Sequence, residues 1–147
     1  MTAPSFSPYL TVKGASDAIA FYVAAFGATE NFRLVDPADG RIGHAEINIG
    51  GVTVMISDEY PDFGACAPET VGGSPVKFLI YVDDCDGIFA KAIALGAVET
   101  RPIKDQFFGD RQGTLTDPFG HSWTLSTVVE SVEPAVMQAR WNEAMAG

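Results

Sequence analysis

The stretch of sequence that decides the fold is the hexapeptide VAAFGA at residues 23–28, because it returns 69 positions later as AIALGA at residues 92–97. At the same offset, Ile19 aligns with Ile88. The apolar and glycine-containing segments on either side recur in the same order along most of the chain. Self-similarity at a fixed offset indicates that the chain is an internal duplication of one structural unit.

Each copy shows the pattern of one strand, one helix and three further strands. In both helices, apolar residues recur at positions i, i+3, i+4 and i+7, which predicts one buried face. Gly27 and Gly96 follow these helices as candidate C-terminal caps, and the pairs Ser16–Asp17 and Asp83–Asp84 are placed to cap their N-termini. The predicted strands are 8–12, 30–35, 43–49 and 52–57 in the first copy, and 76–82, 98–102, 107–116 and 122–127 in the second.

The 147 residues therefore predict one α+β domain made of two βαβββ repeats, at about 6–58 and 75–128. A segment rich in proline and glycine, 59–74, connects the repeats as a linker. A last helix is predicted at about 134–145, since Pro134 occupies the favoured first helical position. Its apolar stripe, which includes Trp141, needs a partner surface on its own subunit or on a second one.

Composition and charge exclude several classes of protein. The chain has 9 basic and 19 acidic residues and a net charge of −10, which argues against nucleic acid as a partner. It has no apolar run long enough for a membrane span, and its first residues show no secretory signal. The cysteines, Cys66 and Cys85, form no CxxC motif, which excludes a zinc ribbon and favours a reducing cytoplasm. We therefore expect a cytoplasmic protein with no nucleic-acid or membrane partner.

Several short motifs extend the pattern of the duplication. They are FYVAAFGA at 21–28, GHAE at 43–46, GGSP at 72–75, QFFGDR at 106–111 and DPFGHSW at 117–123. Over residues 6–128 the chain resembles the vicinal-oxygen-chelate superfamily, which contains glyoxalase I, extradiol dioxygenases, fosfomycin-resistance thiol transferases and bleomycin-binding proteins. It looks most like the PhnB-like, glyoxalase/bleomycin-resistance branch. The resemblance implies a mixed sheet curled into a barrel-like shape, a concave cleft that binds a small molecule, and a homodimer.

The resemblance also lets us ask whether this chain has the metal-binding residues of the metal-dependent members. Those members bind a divalent ion through residues near the start of the first strand and in the last strand of each copy. The corresponding residues here are Ser7, Met55, Lys77 and Thr124. A lysine ammonium does not bind a metal ion, and hard divalent ions do not select a thioether. We therefore predict no cofactor at this usual site, while a divalent metal at an atypical site stays open.

His44 and Glu46 are the strongest catalytic candidates. At positions i and i+2 of a strand, their side chains point the same way, roughly 6–7 Å apart. An imidazole next to a carboxylate could transfer protons, or the two could contribute to a displaced metal site. The alternative is a polar pair on an edge strand facing water. His121 follows a turn, where we expect it to bond to the backbone and Asp117 to brace the turn.

Substrate-binding candidates follow from strand alternation and from residue chemistry. The guanidinium of Arg111 could hold an anionic group, or it could brace a hairpin. Lys77 could recognise a carboxylate or phosphonate, or its ammonium could extend into solvent. Tyr81 could stack on a ligand or pack in the core. The full candidate set is Ser7, Met55, Lys77, Tyr81, Phe107, Arg111 and Thr124.

Three functions remain open from the sequence. The first is binding of a small polar molecule without the usual metal, with lyase- or isomerase-type proton transfer. The second is a non-catalytic protein that sequesters an antibiotic or toxin, which predicts a largely apolar, aromatic groove. The third is a metal-dependent enzyme of glyoxalase or dioxygenase type, with a displaced site that includes His44 and Glu46.

Overall fold

A computed structural model describes residues 3–147 of the chain. The chain forms two compact units: the first contains the residues up to 76 together with 117–121, and the second contains 77–116 and 122–147. Each unit has its own four-stranded mixed sheet. No helix in the described part of the chain is long and apolar enough to cross a membrane.

The first unit has the strand order β1-β4-β3-β2. Strand β1 pairs with β4 in parallel, and the other neighbours are antiparallel. After β4 the chain makes one turn of 3-10 helix and the short helix α2. The elements are β1 (Tyr9–Val12), α1 (Ala15–Phe26), β2 (Thr29–Val35), β3 (Ile42–Ile49), β4 (Val52–Asp58), the 3-10 turn (Pro61–Phe63) and α2 (Pro68–Val71).

The second unit repeats this topology, with the strand order β5-β8-β7-β6 and a parallel β5–β8 pair. The predicted α+β class and the two βαβββ repeats are therefore confirmed, as two separate sheets that are not closed into a barrel. The elements are β5 (Lys77–Tyr81), α3 (Cys85–Ala94), β6 (Val98–Asp105), β7 (Asp110–Thr116), β8 (Ser122–Val128) and the C-terminal helix α4 (Pro134–Ala146).

The largest difference from the predicted strands lies at the hairpin between β6 and β7. Strand β7 begins at Asp110 rather than at Phe107, because Gly109 forms a turn in which its N–H donates to the carbonyl of Gln106. Gly109 has φ +102°, and a Cβ there would lie 2.2 Å from the carbonyl oxygen of Glu130. Only glycine avoids both the unfavourable backbone angle and the close approach. Phe107 is therefore a turn residue.

The prediction for the N-terminal cap of α1 is wrong, whereas that for α3 is confirmed. Neither Ser16 nor Asp17 caps α1, because the helix already begins at Ala15. Its first amides donate instead to a carboxylate at the end of β4, that of Asp58. In α3, the side chain of Asp84 accepts from the amide of Gly87, as the sequence predicts.

The core of the first unit lies between α1 and one face of its sheet. Alternate residues of the three strands β1, β3 and β4 point to this face, and they are almost completely buried. Because the side-chain period of a strand is two, the residues between them point to the opposite face, which carries no helix. The buried set is Leu10, Val12, Ile19, Tyr22, Ala45, Ile47, Val54 and Ile56.

Candidate functional site

The helix-free face of the first sheet brings together residues that are far apart in sequence. Tyr9 on β1 pairs with Met55 on β4, and Met55 pairs with Glu46 on β3. Glu46 in turn pairs with Phe32 on β2, so these four side chains form one row across the sheet. His44 lies two residues before Glu46 on the same face. Strand β3 lies between β2 and β4, so the alternative of a polar pair on an edge strand is wrong.

A chain of hydrogen bonds joins three side chains of this face. The hydroxyl of Tyr9 lies 2.7 Å from Nδ1 of His44, and Nε2 of His44 lies 3.0 Å from a carboxylate oxygen of Glu46. The side chains of His44 and Glu46 are each about one quarter exposed, at 25% and 24%. The imidazole also lies between two aromatic rings, with its centroid 5.4 Å from that of Tyr9 and 5.8 Å from that of Phe32.

A cleft of about 620 Å³ opens on the same unit. Aromatic and aliphatic side chains form most of its wall. Tyr9 lines it directly. His44 contacts Tyr9 from outside the lining, and Glu46 contacts His44 in turn. The lining residues are Tyr9, Thr11, Leu34, Val35, Asp36, Gly43, Ser57, Tyr60, Phe63 and Ala65.

Asp36 brings a negative charge to the lining of this cleft. Among the described residues that line it, Asp36 is the charged one, and its carboxylate accepts from the hydroxyl of Tyr60 at 3.0 Å. Burial raises the pKa of Tyr60, and the hydrogen bond to Asp36 raises it further. Tyr60 therefore stays a hydrogen-bond donor at neutral pH. The guanidinium of Arg41 lies 4.0 Å from the centroid of the Tyr60 ring and fixes its orientation.

The segment that supplies Tyr60 and Phe63 is held by Glu59. Its carboxylate accepts from the amide of Ala67 at 2.7 Å and from the hydroxyl of Thr70. The hydrogen bond from Thr70 lowers the pKa of Glu59, and the bond from Ala67 lowers it further. The carboxylate thus ties the end of β4 to the short helix α2.

The second unit holds five of the sequence candidates, of which four lie on its sheet. Lys77 is exposed at the start of β5. Tyr81 is exposed at the end of the same strand, where the negative charge of Asp110 raises the pKa of its hydroxyl and a hydrogen bond to that carboxylate adds to the effect. Thr124 is buried, and its hydroxyl lies 2.8 Å from that of Thr114.

Arg111, the fourth, makes ion pairs within its own unit. Its guanidinium donates to both carboxylate oxygens of Asp86, at 2.8 and 2.9 Å, and to Asp105 at 3.1 Å. These hydrogen bonds raise the pKa of Arg111, that to Asp86 most of all. The bonds to Asp86 connect β7 to the first turn of α3, and the bond to Asp105 lies within the hairpin of β6 and β7.

Phe107 contacts the C-terminal helix rather than the cleft of the first unit. Its ring meets that of Trp141 edge-on, with centroids 5.9 Å apart. The neighbouring Arg140 donates to the carbonyl of Phe107 at 2.8 Å and to the carboxylate of Glu130. Helix α4 therefore finds part of its partner surface on its own unit.

The turn at residues 117–121 is organised by Asp117, as predicted. One oxygen of this carboxylate accepts from the amides of Phe119 and His121, at 2.8 and 3.0 Å. The other accepts from the hydroxyl of the fully buried Tyr22. The ring of His121 lies 3.0 Å, through Nε2, from the carbonyl oxygen of Thr11, which agrees with the expected bond to the backbone.

The residues at the positions of the usual metal ligands do not fit a divalent ion. In the first unit they are Ser7, just before β1, and Met55, whose thioether lies in the row with Tyr9. In the second unit they are Lys77, a cation, and Thr124, whose hydroxyl is already bonded. Within residues 3–147, no three histidine, cysteine or acidic side chains are grouped so that they could hold a metal. The donor chemistry therefore gives no support to metal-dependent chemistry at these places.

None of the ten residues that line the cleft is among the candidates of the sequence analysis, and three of them show why. Asp36, Tyr60 and Phe63 lie in segments without periodicity, which the sequence presents only as a loop and a linker. A signal did exist, since aromatic residues inside a stretch rich in proline and glycine need a surface to contact. Nothing in the sequence shows that this surface is the sheet of the first repeat.

Comparison with known proteins places this arrangement among related chains. An uncharacterized protein of Mycobacterium tuberculosis is 41% identical over 139 residues, which cover 92% of this chain and 81% of that protein. The crystal structure of TioX from Micromonospora is 28% identical, covers 86% of this chain and 99% of its own, and superposes with a TM-score of 0.64. A PhnB protein from Bacillus cereus shares the fold at 21% identity, with a TM-score of 0.68 over 84% of this chain and 99% of its own.

A family model covers almost the whole of the duplicated region. The model describes the glyoxalase/bleomycin resistance protein/dioxygenase superfamily and matches residues 5–125. This range contains the first βαβββ repeat and the second as far as the middle of β8, and it leaves out the C-terminal helix. By its sequence and by its fold, the chain belongs to the glyoxalase/bleomycin resistance protein/dioxygenase superfamily.

Proposed function

We propose that this protein binds a small, flat, largely apolar organic molecule that carries a positive charge, in the cleft of the first unit. The observation that carries the proposal is the convergence of Tyr9, Tyr60, Phe63 and the Asp36 carboxylate on one cleft of about 620 Å³. Ligand sites in proteins typically have about 300–1,000 Å³, apolar walls and a few placed polar groups. The cleft has each of these properties.

The exposure of the apolar wall supports a binding role. Phe63 is 86% exposed, and Leu34 and Val35 are each more than half exposed. A contiguous apolar patch of this kind costs solubility and is retained mainly where something binds to it. The four strands hold six of the ten lining residues in place, which lowers the entropic cost of ordering the wall when a ligand binds.

The polar groups of the cleft select the charge of the ligand. Asp36 supplies a carboxylate, and the ring face of Tyr9 attracts cations. One face of Tyr60 already holds the guanidinium of Arg41. The net charge of −10 strengthens the attraction at long range. This wall matches the aromatic groove that a sequestering protein requires, and the superfamily's own description includes bleomycin resistance proteins.

The experiment compares two dyes of similar size and opposite charge by fluorescence titration. Proflavine is planar and cationic, and 8-anilinonaphthalene-1-sulfonate is anionic. We expect proflavine to bind more tightly, and Phe63→Ala to weaken its binding about tenfold, which corresponds to about 1.4 kcal/mol of lost contact. Asp36→Asn should weaken proflavine binding and leave the anionic dye almost unaffected.

Trp141→Ala is the matched control, since it removes an exposed aromatic ring from the second unit. This variant should keep the affinity of the wild type. If Trp141→Ala weakens proflavine binding as much as Phe63→Ala does, the ligand does not occupy this cleft and the proposal fails. The same conclusion follows if neither dye binds below millimolar concentration.

A further inference from the structure

Tyr9 connects the cleft to an imidazole and a carboxylate that lie outside its lining. We infer that Tyr9 is a catalytic proton-transfer residue, that His44 and Glu46 position and activate it, and that its substrates are small planar molecules with an acidic C–H bond. This inference rests on the proposed function, because it needs a molecule bound in the cleft of the first unit. It assigns to Tyr9 the contact with substrate that the sequence suggests for His44.

The direction of the hydrogen bonds follows from the chemistry of the groups. An ionised carboxylate can only accept, so the hydrogen of a neutral His44 lies on Nε2, which faces Glu46 at 3.0 Å. Nδ1 is then an acceptor, and the Tyr9 hydroxyl at 2.7 Å donates to it. The arrangement is that of a hydroxyl group, a base that takes its proton, and a carboxylate that stabilises the resulting imidazolium.

The fold holds these groups rigidly. Tyr9, His44 and Glu46 lie on β1 and β3, which are joined through the central strand β4. The rings of Tyr9 and Phe32 lie beside the imidazole and keep it oriented. Only about a quarter of the His44 and Glu46 side chains is exposed. Tyr9 is 53% exposed, and it lines the cleft. Substrate therefore meets Tyr9 first.

The reaction step balances without any further reagent. The Tyr9 proton moves to Nδ1 of His44, and the phenolate oxygen removes a proton from a carbon of the bound molecule. The electron pair of the broken C–H bond stays with the substrate, where it forms a new double bond or expels a leaving group. The proton taken from carbon leaves Tyr9 neutral again, and the imidazolium releases its extra proton to water, because His44 lies outside the lining of the cleft.

The test uses 5-nitrobenzisoxazole, a flat molecule whose single C–H bond reports on any positioned base. Removal of that proton breaks the ring N–O bond and gives a coloured cyanophenolate, whose absorbance is followed. We expect the wild-type protein to accelerate this reaction over buffer. Because general-base catalysis contributes typically about 10²–10⁴-fold, Tyr9→Phe should lower kcat by at least tenfold. KM should change less than twofold, since the ring remains.

The two positioning residues are tested by their effect on kcat against KM. His44→Gln should lower kcat nearly as much as Tyr9→Phe, and Glu46→Gln should lower it less, in both cases with an unchanged KM. A merely structural role would raise KM or weaken proflavine binding together with kcat. The ¹⁵N NMR signals of His44 give an independent measurement, because Tyr9→Phe should change the Nδ1 signal more than the Nε2 signal.

Tyr22→Phe is the matched control within the same unit. It also removes a hydroxyl that donates to a carboxylate, that of Asp117, but Tyr22 is a buried residue of α1 and does not line the cleft. This variant should keep kcat and KM. If Tyr9→Phe keeps the wild-type rate while proflavine still binds, or if bound probe is not turned over by the wild type, the inference about Tyr9 is wrong and the proposed function stands. If neither proflavine nor the probe binds, the proposed function itself fails.

Discussion

Replacing Asp58 by alanine should destabilise the first unit far more than replacing Ser16 or Asp17, which the sequence suggests as caps of α1. The Asp58 carboxylate is buried at the end of β4. One of its oxygens accepts from the amides of Gly14 and Ala15, at 2.9 and 2.8 Å, and the other accepts from the amide of Ile42 at 2.7 Å. It therefore joins the first turn of α1 to the start of β3.

The magnitude follows from these three bonds. A hydrogen bond to a charged group contributes about 1.5–3 kcal/mol, and a buried amide left without a partner costs about 1–3 kcal/mol. The three bonds share one carboxylate and their contributions are not additive, so we expect Asp58→Ala to lower the free energy of unfolding by about 3–5 kcal/mol. Asp58→Asn should cost about half as much, because its amide oxygen can still accept from the helix but its NH₂ group faces another donor.

The assay is urea unfolding followed by far-UV circular dichroism, with hydrogen exchange of the Gly14, Ala15 and Ile42 amides as the local measurement. Ser16→Ala is the control, since Ser16 lies in the first turn of α1 and its hydroxyl accepts only from the exposed Arg33. We expect this control to stay within about 0.5 kcal/mol of the wild type. If Asp58→Ala costs less than about 1 kcal/mol, or no more than Ser16→Ala does, the reasoning about the cap is refuted.

Two further predictions concern the segments that shape each unit. The pKa of Glu59 is lowered in the folded protein. Its carboxylate should therefore stabilise the 59–71 segment above its unfolded pKa, and this effect should be lost as the pH falls through the folded pKa. Thr70→Val should bring the pKa of Glu59 back up, as measured by ¹³C NMR of the carboxylate, and an unchanged titration would contradict this. Gly109→Ala should destabilise the second unit by at least about 2 kcal/mol in thermal unfolding. The new Cβ would clash with the carbonyl of Glu130, and alanine avoids the backbone angle of this position. A loss below about 0.5 kcal/mol would show that the turn can rearrange.

The features that the sequence predicts well are those set by local chemistry. Gly27 ends α1 in the left-handed conformation with φ 70°, which is the conformation that a glycine at this position predicts. Asp84 caps α3 from the adjacent position. The alternation of β3 and β4 sorts their residues to the correct faces, since Ile47, Val54 and Ile56 are buried under the helix. Each of these signals acts over fewer than about ten residues.

The features that the sequence does not predict depend on pairs of residues far apart in the chain. Asp58 caps α1 across 43 positions of sequence, so the nearer Ser16 and Asp17 give a stronger but misleading signal. The bond between Tyr9 and His44 spans 35 positions. It depends on the strand order β1-β4-β3, and no local pattern shows which strand lies beside β1. The cleft is missed for the same reason, because Tyr60 and Phe63 come from an aperiodic segment.

Comparison of the two repeats shows that the row with Tyr9 and Glu46 has no ionisable counterpart in the second sheet. The row that contains Tyr9, Met55 and Glu46 in the first sheet corresponds by register to Leu79, Thr124 and Thr114 in the second. There the two threonine hydroxyls bond to each other and are buried, at 5% and 7% exposure. The first copy carries ionisable side chains in this row, whereas the second carries an exposed leucine and two bonded threonines. This is the outcome expected when duplicated units keep one fold while their sites diverge.

The same comparison turns the two repeats into a test of the site. Because both sheets have the same topology, the side chains of this row can be exchanged between the repeats. The exchange should move the proposed chemistry with the side chains and leave the strands intact. Replacing Tyr9 and Glu46 by the leucine and threonine of the second repeat should preserve the fold, since both positions lie on the helix-free face. It should also remove base catalysis and leave His44 without partners on β1 and β3. Loss of the fold in this variant would mean that the row serves the stability of the first unit rather than its function.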